Sequence, residues 1–245
     1  MLHPPIENGT LAAPGADRLA DSGGLRGRRK WFFGLSMSAL AVVPALVALG
    51  AWKLAPPGNR LTRATGQIVP DFVLRDVRTG QRHRLSDHES SLVVIVFLGT
   101  KWQAAATYLP RLSKFSRGYE KRGAEFVAIN SNASESVEEA AEQARAMNVT
   151  FPILKDPENR VADSLSAERI GETLVLDRHG RIRYRGTIDD QYDTEAPREE
   201  PSRNYLLEAI DALIAGKPVS PETTAVAGPP IERAAGGRSP MESAL

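Results

Sequence analysis

One run of eight residues, 91–98 (SLVVIVFL), constrains this chain more than any other feature. It carries no charge, and Val93, Val94, Ile95 and Val96 are all β-branched. A strand with one wet face alternates apolar and polar residues. A run without alternation suits a central strand covered on both faces. Residues 124–130 (AEFVAIN) form a second buried strand of this kind. Between them, residues 103–121 read as a helix, with Leu109, Leu112, Phe115 and Tyr119 near one face and Pro110 inside it.

The remaining elements follow the same pattern. Residues 71–77 and 82–85 are short strands joined at Thr79-Gly80. Ser136 and Glu139 form a capping box ahead of a helix whose stripe is Val137, Ala140, Ala141, Ala144 and Met147. Residues 151–154 are extended and 159–166 are a short helix. Residues 172–176 and 181–184 are strands joined by a hairpin-like turn, Asp177-Arg178-His179-Gly180. Ser202 is placed to cap a last helix carrying Leu206, Ile210, Leu213 and Ile214, which Gly216 and Pro218 end. Alternating strands and helices predict an α/β domain, with a mixed sheet and helices on both faces, over residues 67–216.

The flanks differ in character. Residues 1–30 contain Pro4, Pro5 and Pro14 with no apolar periodicity and read as a disordered tail. Residues 31–52 carry no charge, and at ~1.5 Å per residue a helix of that length crosses a hydrocarbon core. Trp31 and Trp52 bracket it, and Arg26, Arg28, Arg29 and Lys30 precede it. This pattern predicts a single-pass signal anchor with a cytoplasmic N-terminus and the following domain outside, on the periplasmic side of the cell membrane. The alternative is a cleaved signal peptide, with Ala48-Leu49-Gly50 as the processing site. Residues 53–66 form a linker. Residues 217–245, with five prolines and little periodicity, read as a disordered C-terminal tail; the alternative is an extended segment lying over the domain. Net charge is +1, so nucleic acid is not an expected partner.

The stretch VVIVFLGTKWQAAATYLPRL (93–112) resembles the redoxin group of thioredoxin-like proteins, of the alkyl hydroperoxide reductase/thiol-specific antioxidant type. Members read FLGT-x-C-P-x-A…Y-x-P-R-L there. The likeness continues through FVAINSNASES, FPILKDPENRVADSLSA, LVLDRHGRIRYRGTIDDQY and LLEAIDALIAGKPV, and so covers residues 67–219. It implies a thioredoxin-like fold and thiol chemistry at the N-terminus of the first long helix, where the helix dipole stabilises a thiolate.

At the position of that cysteine stands Trp102, followed by Gln103, and the second position of the motif is Ala105. The proline of the facing loop, R-T-P-E-V in the family, is Gly171. The C-terminal landmark G-C-x-I reads Gly228-Pro229-Pro230-Ile231. The whole chain contains no cysteine, which removes disulfides, thiolate nucleophiles, thiolate metal sites and cysteine lipidation together. The expectation is a redoxin-like domain without catalytic residues or cofactor, contacting another envelope protein through Thr100, Trp102, Gln103, Tyr108 and Gly171. The alternative is an oxidoreductase, peroxidase or transferase using a thiol from a substrate or partner, with Thr100 and Tyr108 as hydroxyls flanking the site; no adjacent base is visible, and nothing in the sequence places His179 near them.

Two further constellations have plainer readings. His83, His88, Asp87 and His179 have metal-ligand chemistry but lie in polar hairpins, so no metal is expected. Asp189, Asp190 and Asp193, with Glu195, Glu199 and Glu200 beyond, read as a solvated loop after the last strand rather than an acid–base or calcium site.

Overall fold

A computed structural model describes residues 65–88, 91–192 and 197–235. The expected tail 1–30, the apolar span 31–52 and all but the end of the linker 53–66 lie outside the described residues. Among the described residues no helix is long and apolar enough to cross a membrane.

The strands are β1 (Val73–Asp76), β2 (Arg82–Arg84), β3 (Leu92–Phe97), β4 (Ala124–Asn130), β5 (Ile153–Lys155), β6 (Thr173–Leu176) and β7 (Ile182–Gly186). They form one mixed sheet in the order β2-β1-β5-β4-β3-β6-β7. β3, β4 and β5 run parallel, and β6 lies antiparallel to β3. The helices are α1 (Ala105–Glu120), α2 (Val137–Ala146), α3 (Arg160–Ser164) and α4 (Tyr205–Ile214).

The unbroken apolar run behaves as its composition requires. All six residues of β3 are buried. Leu92, Val94 and Val96 join one core cluster with Leu109 and Leu112 of α1, Ala140 of α2 and Leu206 and Ile210 of α4. Val93, Ile95 and Phe97 point the other way, to Val161, Ala162, Leu165, Leu174 and Leu176. Strand periodicity divides one apolar segment between two cores. Helices do cover both faces, but unequally. On the second face the short α3 is the one α-helix, and Leu85 of a 3-10 turn (Leu85–His88), Val69 and Ile231 add to the cover.

Local signals set the ends of α2. The Ser136 hydroxyl accepts from Glu139 N at 3.0 Å, and the Glu139 carboxylate accepts from Ser136 N at 2.7 Å, so the capping box is complete. At α4 the cap is Asn204, whose Oδ1 accepts from Leu207 N at 3.0 Å. Ser202 was expected there. Its amide instead donates to Asp190 at 2.8 Å, which holds it in the preceding loop.

The main correction concerns the C-terminus. Residues 217–235, expected as part of a disordered tail, form an extended strap across the domain. Val219 and Ile231 are buried. Arg185 N donates to Glu222 O, and Thr224 N donates back to Arg185 O, so the strap first runs along the free edge of β7. It then crosses the ends of the sheet, where Ile170 N donates to Pro229 O at 2.8 Å and Ile231 N to Glu168 O at 2.9 Å. Order here comes from long-range backbone pairing, which a proline-rich segment supplies without any apolar period. The folded unit among the described residues is therefore 65–235. Residues 236–245 lie outside them.

Candidate functional site

The site lies where the C-terminal ends of β3 and β4 meet the N-terminal end of β6. In a sheet with parallel central strands, this is where loops diverge and leave a crevice. Four segments converge: the loop from Gly99 to Ala104, the loop 131–136, residues 168–172, and the strap.

Glu135 fixes the first of these. Its carboxylate is buried and accepts from Thr100 N at 2.7 Å and Lys101 N at 3.3 Å. Asn130 Nδ2 and Asn132 Nδ2 donate to it at 2.6 and 2.9 Å. Burial pushes its pKa up, but these hydrogen bonds outweigh burial and hold the carboxyl below its usual range. Gln143 closes the clamp, donating to Thr100 O at 2.9 Å. Thr100 is thus held by its backbone, and Glu135 has no oxygen left over to serve its hydroxyl as a base.

Trp102 follows, partly buried just ahead of the first turn of α1. Its ring stacks on Tyr108 at 5.2 Å between centroids and 16° between planes, an arrangement that aromatic quadrupoles favour. Tyr108 is buried, and its hydroxyl donates to Asp189 at 2.5 Å. Arg111 Nη1 reaches the other oxygen of Asp189 at 2.6 Å, and Gln191 N donates to the first at 3.1 Å. Burial, then the bond to Asp189, pushes the Tyr108 phenol far above its usual range, so it stays protonated at neutral pH.

The acidic loop is solvated at Glu199 and Glu200, which are exposed as expected, but not at its start. Asp189 is fully buried, and Asp190 is nearly so, paired with Arg198 at 2.5 Å. Two carboxylates leave water because an α1 arginine, an α1 tyrosine and Arg198 replace the water. Asp193 and Glu195 lie outside the described residues.

Facing Trp102 is Gly171, with φ +84. A Cβ at this glycine would stand 3.0 and 3.1 Å from Cζ2 and Cη2 of Trp102. The indole thus packs against a position where any side chain would crowd it. A fully buried ion pair holds the loop that carries Gly171: Arg185 meets Glu172 at 2.5 Å, donates to Leu165 O and Ser166 O, and leaves Glu172 to accept from Glu168 N.

Around these residues is a cavity of about 480 Å³, lined by Trp102, Gln103, Tyr108, Gly171 and Tyr192, with Val226–Pro229 of the strap as its last wall. Four of the five expected binding residues line this one cavity. Thr100 stands beside it, and Ala105 is buried in the first turn of α1. The strap is the extended segment over the domain that stood as the alternative to a disordered tail, but its place as a wall of this cavity was not marked. Its one sequence signal was the landmark at Gly228–Ile231.

His179 does not belong to this site. It sits beyond the far end of β6, with His88, in a separate cavity of about 600 Å³. His88 Nδ1 is 2.5 Å from Glu125 there. Thr100 and Tyr108 are therefore at the opposite end of the sheet from His179, which supplies them no base. Among the described residues no three metal-ligating side chains are grouped to hold an ion. What remains at the Trp102 cavity is an aromatic cleft with the exposed side chains of Lys101 and Gln103 at its wall, suited to binding by contact and hydrogen bonding.

The chain matches the family model described as "AhpC/TSA family" over residues 65–185. It is 32% identical over 121 residues to the thiol-disulfide oxidoreductase ResA of Geobacillus kaustophilus (strain HTA426), which covers 49% of this chain and 67% of that protein. Among solved structures, a hypothetical protein from Sinorhizobium meliloti 1021 superposes with a TM-score of 0.64 at 28% identity, over 70% of this chain and 95% of that one. An uncharacterized conserved protein from Geobacillus kaustophilus gives a TM-score of 0.62 at 28% identity, over 69% and 92%. The sheet order, the helix that follows β3 and these likenesses agree: the chain belongs to the AhpC/TSA family and has a thioredoxin-like fold, without a single cysteine.

Proposed function

We propose that this protein is a redoxin that has lost its own thiol chemistry and works by binding: a scaffold that docks another envelope protein at the Trp102 cleft. The observation that carries this reading is the pairing of Trp102 with Gly171. The position where family resemblance expects a nucleophile holds an indole, the position facing it holds a glycine whose missing Cβ leaves room for that ring, and the chain contains no cysteine elsewhere. Large, partly exposed aromatics in a pre-formed pocket are the residues that dominate binding energy at interfaces. The charge-free segment 31–52, preceded by four basic residues, supports attachment to the cell membrane with the redoxin-like domain on the periplasmic side.

The test is site-specific photocrosslinking from position 103 in cells. A discrete adduct is expected, and Trp102→Ala should abolish it while the purified variant keeps its circular dichroism spectrum. An adduct unchanged by that substitution refutes the role given to Trp102.

One observation favours a second reading. The matched relative is named a thiol-disulfide oxidoreductase, so a partner's or substrate's thiol brought into this cleft would make the protein an accessory to exchange between other molecules. The protonated Tyr108 and the fully occupied Glu135 supply no base for such a step. It therefore requires a thiol that is already ionised.

A further inference from the structure

The backbone edge at 168–170, just before Gly171, is already occupied. Ile170 N donates to Pro229 O and Ile231 N to Glu168 O, the two-way pattern of an antiparallel strand pair. Arg169 Nη1 adds a bond to Gly228 O at 2.8 Å. Gly228 lies so close that a Cβ there would sit 1.8 Å from Ile170 O. Pro229 and Pro230 have no N–H, so the strap presents no donor from these two residues to any further strand.

The strap is unevenly held. Its distal end is strongly anchored: Ala133 N donates to Glu232 O, Glu232 N to Asn132, Ala234 N to Asn159, and Arg233 pairs with Asp163 at 3.1 Å. Its proximal end is anchored at Arg185 and by buried Val219. Between them, no amide of residues 225–228 donates a hydrogen bond among the described residues, and this is the stretch that walls the Trp102 cleft. A segment fixed at both ends, whose middle has no bonded amide and is held by one side-chain bond to Gly228 O, opens at lower free energy than the sheet beneath it.

We infer that residues 219–235 are a resident ligand of the cleft: an extended, proline-containing segment of the chain itself occupies the 168–170 edge, and a partner gains the full cleft only when the 225–231 stretch lifts. The partner that fits is then another extended apolar segment, exchanging with the strap rather than adding to it. The identity of the exchanging partner rests on the binding role proposed above; the occupancy of the edge does not.

The experiment uses the full chain in detergent, with Trp31→Phe and Trp52→Phe so that Trp102 alone reports. Hydrogen exchange is followed for Ile170, Ile231 and the amides of β3 and β4, and acrylamide quenching for Trp102. In the parent chain, Ile170 and Ile231 should exchange at least about tenfold faster than β3 and β4, as expected of a separately opening unit. Gly228→Ala should speed both further and raise quenching of Trp102. Arg233→Ala, which loosens the strap without adding an atom near Ile170, should act in the same direction and serves if the first variant fails to fold.

Strap amides that exchange only with β3 and β4, or quenching that neither variant changes, would overturn the inference. In the crosslinking assay at position 103, Gly228→Ala should increase the adduct. A decrease would make the strap part of the docking surface and overturn its role as occupant. If no variant gives an adduct, the binding role fails, and the exchange and quenching results still decide the strap.

Discussion

Gly171 and Trp102 should prove energetically coupled, and a double-mutant cycle measures by how much. Gly171 has φ +84, a left-handed conformation in which a side chain costs about 1–2 kcal/mol. Its added Cβ would also meet the indole at 3.0 and 3.1 Å, well inside normal carbon contact. The ring cannot retreat freely, because Tyr108 stacks behind it at 5.2 Å and is itself tied to Asp189. Overpacking of this kind adds about 1–2 kcal/mol. Gly171→Ala should therefore lower unfolding free energy by about 2–4 kcal/mol in the parent chain. In the Trp102→Ala background the clash is gone, and only the backbone cost of about 1–2 kcal/mol should remain. Urea unfolding followed by far-UV circular dichroism suits all four proteins, since it does not depend on the indole. Effects that add to within about 0.5 kcal/mol would show the two residues to be independent and refute the paired fit.

Other consequences follow from the same geometry. Glu172→Ala strands Arg185 in the interior and should cost about 3–5 kcal/mol in urea unfolding, and a loss below about 1 kcal/mol would mean that the pair is not buried in solution. Tyr108→Phe removes one donor from the buried Asp189 and should cost about 1–3 kcal/mol, read as a lower thermal midpoint; an unchanged midpoint would contradict the bond. Glu135 has a depressed folded pKa, so its contribution is present above the unfolded carboxyl pKa and is lost as pH falls through the lower folded value. Glu135→Gln should accordingly flatten the acid side of the stability profile, measured as urea midpoints from about pH 3 to 7, and an equally steep profile would refute its role.

What the sequence made legible follows a physical division. β3 was readable because both of its faces are apolar, and α2 because its capping box is local. Trp102, Ala105 and Gly171 were readable as a site because family resemblance marks those positions. The strap was not, because its order rests on bonds from Pro229, Ile231 and Glu232 to residues that precede them by 59 or more positions, and prolines and small residues carry no period. Asp189 misled for a related reason. Its neighbours in sequence are acidic, but the groups that neutralise it, Tyr108 and Arg111, lie 81 and 78 residues away on α1. Likewise, the last helix begins at the cap that Asn204 forms, while the nearby Ser202 is drawn off by Asp190.

The central claim, a redoxin that has kept the fold and given up the chemistry, is tested most directly by turnover. Purified full-length protein would be assayed for peroxide consumption and disulfide reduction with an external thiol reductant, beside a cysteine-bearing redoxin. The account predicts a rate equal to that of the reductant alone from a sample whose circular dichroism shows it folded. Turnover above that background, lost on substituting Thr100 or Trp102, would contradict it and make the cleft an active site.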